Sequence, residues 1–443
     1  MNKSLRIVLT VFGAIVIAAA CFLGGFFTSQ LSRGKSASSY EWALKTIMEN
    51  YYKDVPADDI LGTSLDAVVD KHLDIYSEYY TAKEYKEMIA SNSGSKVGVG
   101  VSYSFIPEGV HPSGKSGVFI NMVVGNSPAF HGGLKAGEFV SAISYKGERT
   151  EFSSSADFSD CIDSIAKGEK FTLVTDRGER DVAKEAYTAS YCMMATSTTT
   201  YSVVYESGKR QLAESVGIEY LPEGAAYLKL DQFYGNAAYE MADLIEKFNA
   251  ENCTSLILDL RGDGGGYVNV MCDISGIFTG QLQNSYRYAM HAKYKNGKSE
   301  SYPVNNLFGK SKQLPAGTKV SVLADNGTAS ASEALIGVLI DNGVMDYGDV
   351  YVSDFSESYL NFTGTADKNR RTYGKGIMQT TFVNHSTGEA LKLTTAKIYW
   401  PKGDVSIHDV GLTEQMGCKT VATDWEVTYG DTQLAAAVAA IYG

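Results

Sequence analysis

The stretch "KVSVLADNGTASASEALIGVLIDNG", Lys319 to Gly343, decides the fold class. "KVSVLAD" is short and mostly apolar, the composition of a strand covered on both faces of a sheet. "SEALIGVLIDNG" carries apolar residues at helical intervals and ends in Asn-Gly, a helix stop. Between them lies a turn of small residues with serines at 330 and 332. The same grammar occurs upstream. "AAYLKLDQF" reads as a strand, and "AAYEMADLIEKFNAEN" as an amphipathic helix with Met241, Leu244, Ile245 and Phe248 on one face. "TSLILDL" is another buried strand. Strands alternating with helices predict an α/β core, a mainly parallel sheet with helices packed on it.

The strand-to-helix turn at Ser330 is also the first place to look for chemistry. A serine there projects from the end of the sheet, and the helix N-terminus offers unpaired amides to a developing oxyanion. A serine at a helix start also caps the helix, so the position alone does not make a nucleophile. A Ser hydroxyl needs a neighbour to take its proton. Histidines stand at 72, 111, 131, 291, 385 and 408, none in a triad pattern, and there is no G-x-S-x-G elbow. In "RTYGKGIMQ", Arg371 to Gln379, Lys375 stands between two glycines. A neutral lysine serves as a base if burial lowers its pKa from about 10.4; a lysine between glycines also suits a solvated turn. In "LILDLRGDGGGYVN" a buried strand runs into three consecutive glycines, Gly264 to Gly266. No G-K-[ST] follows, which excludes a phosphate loop. An anion-binding turn and an ordinary tight turn both remain open.

Residues 36–96 read as helical, with Trp42, Leu44, Ile47 and Tyr51 at roughly helical spacing and "ASNSGSK", Ala90 to Lys96, as a linker. From Val97 the period changes. "VGVGVSYSF" and "GVFINMVV" look like strands, Pro128 and Ala129 start a short helix that Gly132 and Gly133 end, "SSADFSDCIDSIAKG" is helical, and "KFTLVTDRGERDVAKEA" is a hairpin. This module spans 97–186. Residues 186–225 show no clean period.

The chain has 443 residues and a formal net charge of −12, which excludes the basic face that nucleic-acid binding requires. Lys3 and Arg6 precede an uncharged run, and Ile7 to Phe27 is long enough to span a bilayer as a helix. A signal anchor over 1–35 is expected; a cleaved signal peptide and a poor lipoprotein box ending at Cys21 are the alternatives. Each places the remainder outside the cytoplasm. Six widely spaced cysteines imply neither a metal motif nor a disulfide framework, although one pair could bridge.

The order of elements in 97–186, with "SPA" and "GLKAGE", resembles a PDZ domain of the bacterial protease type, with Glu138 where Asp is usual. The resemblance implies that an extended peptide adds as a strand, with the amides of Val97, Gly98, Val99, Gly100 and Val101 receiving its terminal carboxylate. Over most of residues 40–415 the chain resembles the carboxyl-terminal processing peptidases, tail-specific serine proteases with a Ser-Lys dyad. The matching motifs, in order, are "LDIYSEYYTAKEY", the PDZ block, "AYLKLDQF", "LILDLRGDGGG", "LADNGTASASEALIGVLID", "TYGKGIMQ" and "ALKLTTAKIYWPKGDVSIHDVGLTE". The resemblance implies Ser330 as nucleophile, Lys375 as general base and Gln379 as its orienting partner. It implies oxyanion donors at Ala331 and at a glycine of the triple, Gly265 being the first choice, and leaves Ser332 to capping or packing. The expected layout is an anchor (1–35), a helical region (36–96), a PDZ-like domain (97–186) and an α/β protease core (187–443). Unfolded or C-terminally apolar proteins are the expected substrates, no cofactor is expected, and a homo-oligomer is open. The rival reading is a catalytically impaired peptide-binding protein of the same fold. Its motive is the 45-residue separation of Ser330 and Lys375, longer than the family's usual spacing, with the extra segment placed in 353–371.

Overall fold

The computed structural model describes residues 35–55, 65–356, 360, 366–403, 405–423 and 431–442; the expected signal anchor lies almost wholly outside them. Among the described residues no helix is long and apolar enough to cross a membrane. The helices are α1 (Lys35–Asn50), α2 (Leu65–His72), α3 (Ala82–Asn92), α4 (Pro128–His131), α5 (Ser155–Ser164), α6 (Ala237–Ala250), α7 (Val268–Thr279), α8 (Ala331–Asp341) and α9 (Thr432–Tyr442). The strands are β1 (Glu78–Tyr80), β2 (Ser95–Gly98), β3 (Val101–Ile106), β4 (Gly117–Val123), β5 (Phe139–Tyr145), β6 (Glu148–Glu151), β7 (Lys170–Thr175), β8 (Gly178–Ala183), β9 (Glu185–Thr188), β10 (Cys192–Ala195), β11 (Thr199–Glu206), β12 (Lys209–Val216), β13 (Ala225–Leu230), β14 (Ser255–Asp259), β15 (Tyr288–Tyr294), β16 (Ser299–Pro303), β17 (Lys319–Ala324), β18 (Val350–Phe355), β19 (Ile377–Val383), β20 (Ala390–Tyr399) and β21 (Lys419–Thr423).

The chain divides into two compact units, Met1–Lys86 with Gln379–Thr395, and Glu87–Met378 with Ala396–Gly443. In the first, Ile47 of α1 and Tyr51 just beyond it bury against Val68, Val69, Leu391 and Leu393, so the helical spacing of 42–51 marks a real core face. Residues 379–395, expected within the 187–443 core, group with the N-terminal helices.

The second unit is built on an eight-stranded sheet in the order β12-β11-β10-β13-β14-β17-β18-β21. The run β13-β14-β17-β18-β21 is parallel throughout. Alternate residues of these strands feed two cores. Leu228, Leu256, Leu258 and Val322 pack with α6, α7 and α8 on one face. Tyr227, Ile257, Leu323 and Tyr351 pack with Leu434 and Ala437 of α9 on the other. All five residues of β14 are buried, as a strand covered on both faces requires. The module between β2 and β9 is a six-stranded sheet, β3-β4-β5-β7-β8 with β6 on β5, and has its own core around Val118, Ile120, Phe158 and Leu173. The expected linker 90–96 is instead the end of α3 and the start of β2, which pairs with β9. The five described cysteines are free thiols, so none of them bridges.

Candidate active site

Three parallel strands, β14, β17 and β18, carry the site at their C-terminal ends, the usual place for one in an open α/β sheet. The turn after β17 is drawn tight by Asp325. Its Oδ1 accepts from the amides of Gly327 at 2.9 Å and Thr328 at 3.1 Å. It also accepts from Gly262 of the neighbouring turn at 2.9 Å, so the "ADNGTAS" and "RGDGGG" turns are tied together. Thr328 Oγ1 donates to Leu260 O at 2.8 Å, and Ala329 N to Asp263 O at 2.9 Å.

Ser330 stands at the end of this turn, half-buried, with φ +59° and ψ −112°. A non-glycine residue in that region is strained and persists only where its surroundings impose it. Ser332, two residues later and already inside α8, is fully buried and donates its hydroxyl to Asp263 O at 2.9 Å. The two serines therefore separate: Ser332 secures the glycine turn, and Ser330 stays half-buried at the head of α8.

Glu333 organises the rest. It is fully buried, and its Oε2 accepts from the amides of Ser330 and Lys375 at 2.9 Å each. Its Oε1 accepts from Thr372 Oγ1 at 2.5 Å and from the Gly374 amide at 2.8 Å. Burial pushes this carboxyl above the usual range, while the hydroxyl and three amides aimed at it pull the other way. The Tyr373 amide adds a bond to Thr328 O at 2.9 Å. The backbone of Lys375 is thus clamped to the turn that carries Ser330. The glycines around Lys375 have a packing reason: a Cβ on Gly376 would lie 2.6 Å from His408 N. Sequence reasoning did not find Glu333, although S-x-x-E at 330–333 is the capping-box signature.

Gly265, at φ +93°, sits where a Cβ would come within 2.8 Å of Ala331 N and 2.9 Å of Ser330 Cβ. Its own amide donates to Asp263 Oδ1 at 2.8 Å, so Gly265 is the close-approach residue and its N–H is already committed. Gly266 and Phe233 form a parallel bridge in which Phe233 bonds to Gly265 O and Tyr267 N to Phe233 O. That pattern turns the Gly266 N–H away from Phe233. The Ala331 amide, first in α8, has no acceptor among the described residues. Gln379 belongs to the other compact unit, where its Nε2 donates to Thr394 Oγ1 at 3.0 Å.

Around the site, Arg261 bonds to both Asp259 and Asp431, each at 2.6 Å through Nη2, and Tyr227 donates to Asp259 at 2.6 Å. Burial alone would raise the Asp259 pKa, but the Arg261 and Lys229 charges hold it well below the usual range. This network fastens the start of α9 to the end of β14. No described group of three or more His, Cys, Asp or Glu is placed to hold a metal ion.

The excursion between Ser330 and Lys375 closes on itself. Phe355 N donates to Asn369 Oδ1 at 3.0 Å, and Arg370 pairs with Asp354 at 2.7 Å. The described ends of the segment, 354–355 and 369–370, are thus held side by side.

The sequence profile of peptidase family S41 matches residues 224–347, which hold β13, β14, both glycine-rich turns, Ser330 and all of α8. Residues 224–347 thus match peptidase family S41, a serine-type peptidase family. The chain is 26% identical over 386 residues to a "Probable CtpA-like serine protease" of Staphylococcus epidermidis, covering 86% of the chain and 65% of that protein. It is 24% identical over 449 residues to the protein of that name in Staphylococcus haemolyticus, covering 97% and 77%. The chain therefore spans less than two thirds of the first relative's length. An S41 protease structure from Bacteroides fragilis superposes with a TM-score of 0.57 at 14% identity, over 90% of this chain and 96% of that one, a likeness of fold.

In the β2–β9 module, the expected peptide-binding residues occupy two settings. Val97 and Gly98 pair with β9. Val99 O accepts from Ala129 N, and Gly100 O from Val124 N, at 2.9 Å each. Val101 opens β3, the edge of the six-stranded sheet. A groove of about 650 Å³ runs beside it, lined by Val99, Val101, Tyr103, Phe158, Ile162 and Lys96.

Proposed function

We propose that the chain is a Ser-Lys serine endopeptidase of the carboxyl-terminal processing type, with Ser330 as nucleophile and Lys375 as general base. The observation that carries this reading is the single Glu333 oxygen that accepts the amides of both residues. Ser330 Oγ attacks a peptide carbonyl as neutral Lys375 takes its proton. The oxyanion forms against the Ala331 amide and the Gly266 amide, in place of Gly265, whose N–H serves Asp263. Lys375 then protonates the leaving amine and activates the water that hydrolyses the acyl-enzyme.

The β2–β9 module acts as the PDZ-like domain. An apolar substrate C-terminus adds to the β3 edge, its side chains entering the groove against α5. The N-terminal segment 1–35 anchors the chain, with the catalytic unit outside the cytoplasm.

The test is cleavage of an unfolded protein with an apolar tail by the purified chain, together with mass spectrometry of Ser330 after treatment with a serine-directed fluorophosphonate. Wild type is expected to cleave and to gain one adduct on Ser330. Equal cleavage by Ser330→Ala, or an adduct elsewhere, would sink the assignment.

A further inference from the structure

Strand β12 ends the eight-stranded sheet, and among the described residues nothing pairs with its outer edge. It pairs with β11 across the two-residue turn Ser207-Gly208, with Glu206 opposite Lys209. Both turn residues have positive φ, +51° and +75°, the type I′ geometry that closes on a hydrogen-bonded pair. The phase then alternates. Lys209, Gln211, Ala213 and Ser215 bond to β11, and Gly217 continues that phase through its bond to Thr198 O at 3.0 Å. Arg210, Leu212 and Glu214 turn their N–H and C=O groups outward. Val216 ends the free stretch, because its carbonyl accepts the Thr200 hydroxyl at 2.9 Å.

The same three residues share the sheet face toward α6. Arg210 pairs with Asp243 at 2.6 Å, Glu214 with Lys247 at 3.5 Å, and Leu212 packs on the main core. The edge contains neither proline nor glycine, and of its charged residues Arg210 and Glu214 are drawn to Asp243 and Lys247 on α6, which leaves Lys209 at its start as the guard.

We propose that β12 pairs antiparallel with β12 of a second copy of this chain about a two-fold axis through Leu212, joining two eight-stranded sheets into one. Three independent conditions meet in one register. A two-fold perpendicular to the sheet keeps faces matched only when opposed residues share a face. Outward-bonding residues must oppose outward-bonding residues. Charges must complement. Arg210 opposite Glu214 of the second copy, Leu212 opposite itself, and Glu214 opposite Arg210 satisfies all three, with each pair exchanging two main-chain bonds. A slip of one residue breaks the first two conditions; a slip of two opposes a charge to Leu212.

The experiment uses the full chain, with mass measured by light scattering across a concentration series. A dimer is expected, with slowed amide exchange at Arg210, Leu212 and Glu214 in the dimer alone. Glu214→Lys, remote from Ser330, is expected to raise the dimer dissociation constant about tenfold or more through two symmetric pairs, with peptidase rate per chain unchanged. Under mild oxidation Leu212→Cys cross-links two chains above the wild-type background, and Gln211→Cys and Ala213→Cys do not. A monomer at every concentration, a Glu214→Lys dimer as tight as wild type, cross-linking at 211 or 213 instead, or exchange protection of β12 in a monomer would each overturn the proposal; the last would mean that another part of the same chain covers the edge.

Discussion

Ser330 and Lys375, 45 positions apart, donate their amides to one oxygen of Glu333 at the same distance, 2.9 Å. The carboxylate is the only acceptor that suits this place, because four donors converge on its two oxygens. In Glu333→Gln, an NH₂ group must face at least one main-chain amide. Losing a hydrogen bond to a charged group costs about 1.5–3 kcal/mol. Because the loss falls on the relative placement of nucleophile and base, kcat is expected to drop about 10- to 100-fold. Acylation of Ser330 by a fluorophosphonate should slow in parallel, and peptide affinity in the β3–α5 groove should not change. Unchanged acylation would show that Glu333 only stabilises the turn.

The two serines make opposite predictions. Ser332→Ala removes one buried bond, to Asp263 O. The expected cost is about 1 kcal/mol of stability, with turnover kept within a few-fold. Ser330→Ala is expected to abolish turnover at a cost in stability no larger than that of one helix cap, about 1 kcal/mol. Thermal melts and peptide cleavage on the two variants check the pair; a reversal of roles would place the nucleophile at Ser332.

What was legible in the sequence follows from where each residue finds its partners. The βα unit at 319–343 and the buried face of α6 are local patterns, and the structure has them as read. The short helix at Pro128 is local too: Ser127 caps it through Phe130 N. Glu333 was invisible as an organiser because its partners Thr372, Gly374 and Lys375 lie about 40 positions away. The sequence marks the glycine triple without separating its members, and only the fold reveals that the Gly265 amide turns to Asp263. The region 186–225 hid the β11–β12 hairpin because β12 is an edge strand, exposed along most of its length, and an edge need not show a clean alternation.

The glycines flanking Lys375 test whether close packing or flexibility is their purpose. A methyl at Gly376 would meet the main chain of His408 at 2.6 Å, and main chain cannot swing aside as a side chain does. Gly376→Ala is expected to push the Lys375 segment from its place, costing about 1–3 kcal/mol and most of the activity. Gly348→Ala, where the methyl meets nothing within 4 Å, is the control and should match wild type in both assays. Full activity in Gly376→Ala would show that the 374–376 segment has slack.

Glu240 supplies a pH test that leaves the catalytic residues untouched. It is fully buried in α6 and accepts from Tyr191 N at 2.6 Å, Cys192 N at 3.1 Å and Tyr205 Oη at 2.5 Å. Burial pushes its pKa up to about 7, against the opposing pull of these donors. The folded pKa lies above the unfolded value, so the folded state holds the proton more tightly. Stability is therefore greatest below about pH 4.5, falls as pH rises toward 7, and levels off beyond; the full span is about 3 kcal/mol at 1.36 kcal/mol per pKa unit. Glu240→Gln removes this contribution and should flatten that part of the profile. Denaturant unfolding of both chains at several values between pH 4.5 and 8 measures it. If the two profiles run parallel across the window, Glu240 is ionised throughout and the bonds from Tyr191, Cys192 and Tyr205 outweigh the burial of the charge.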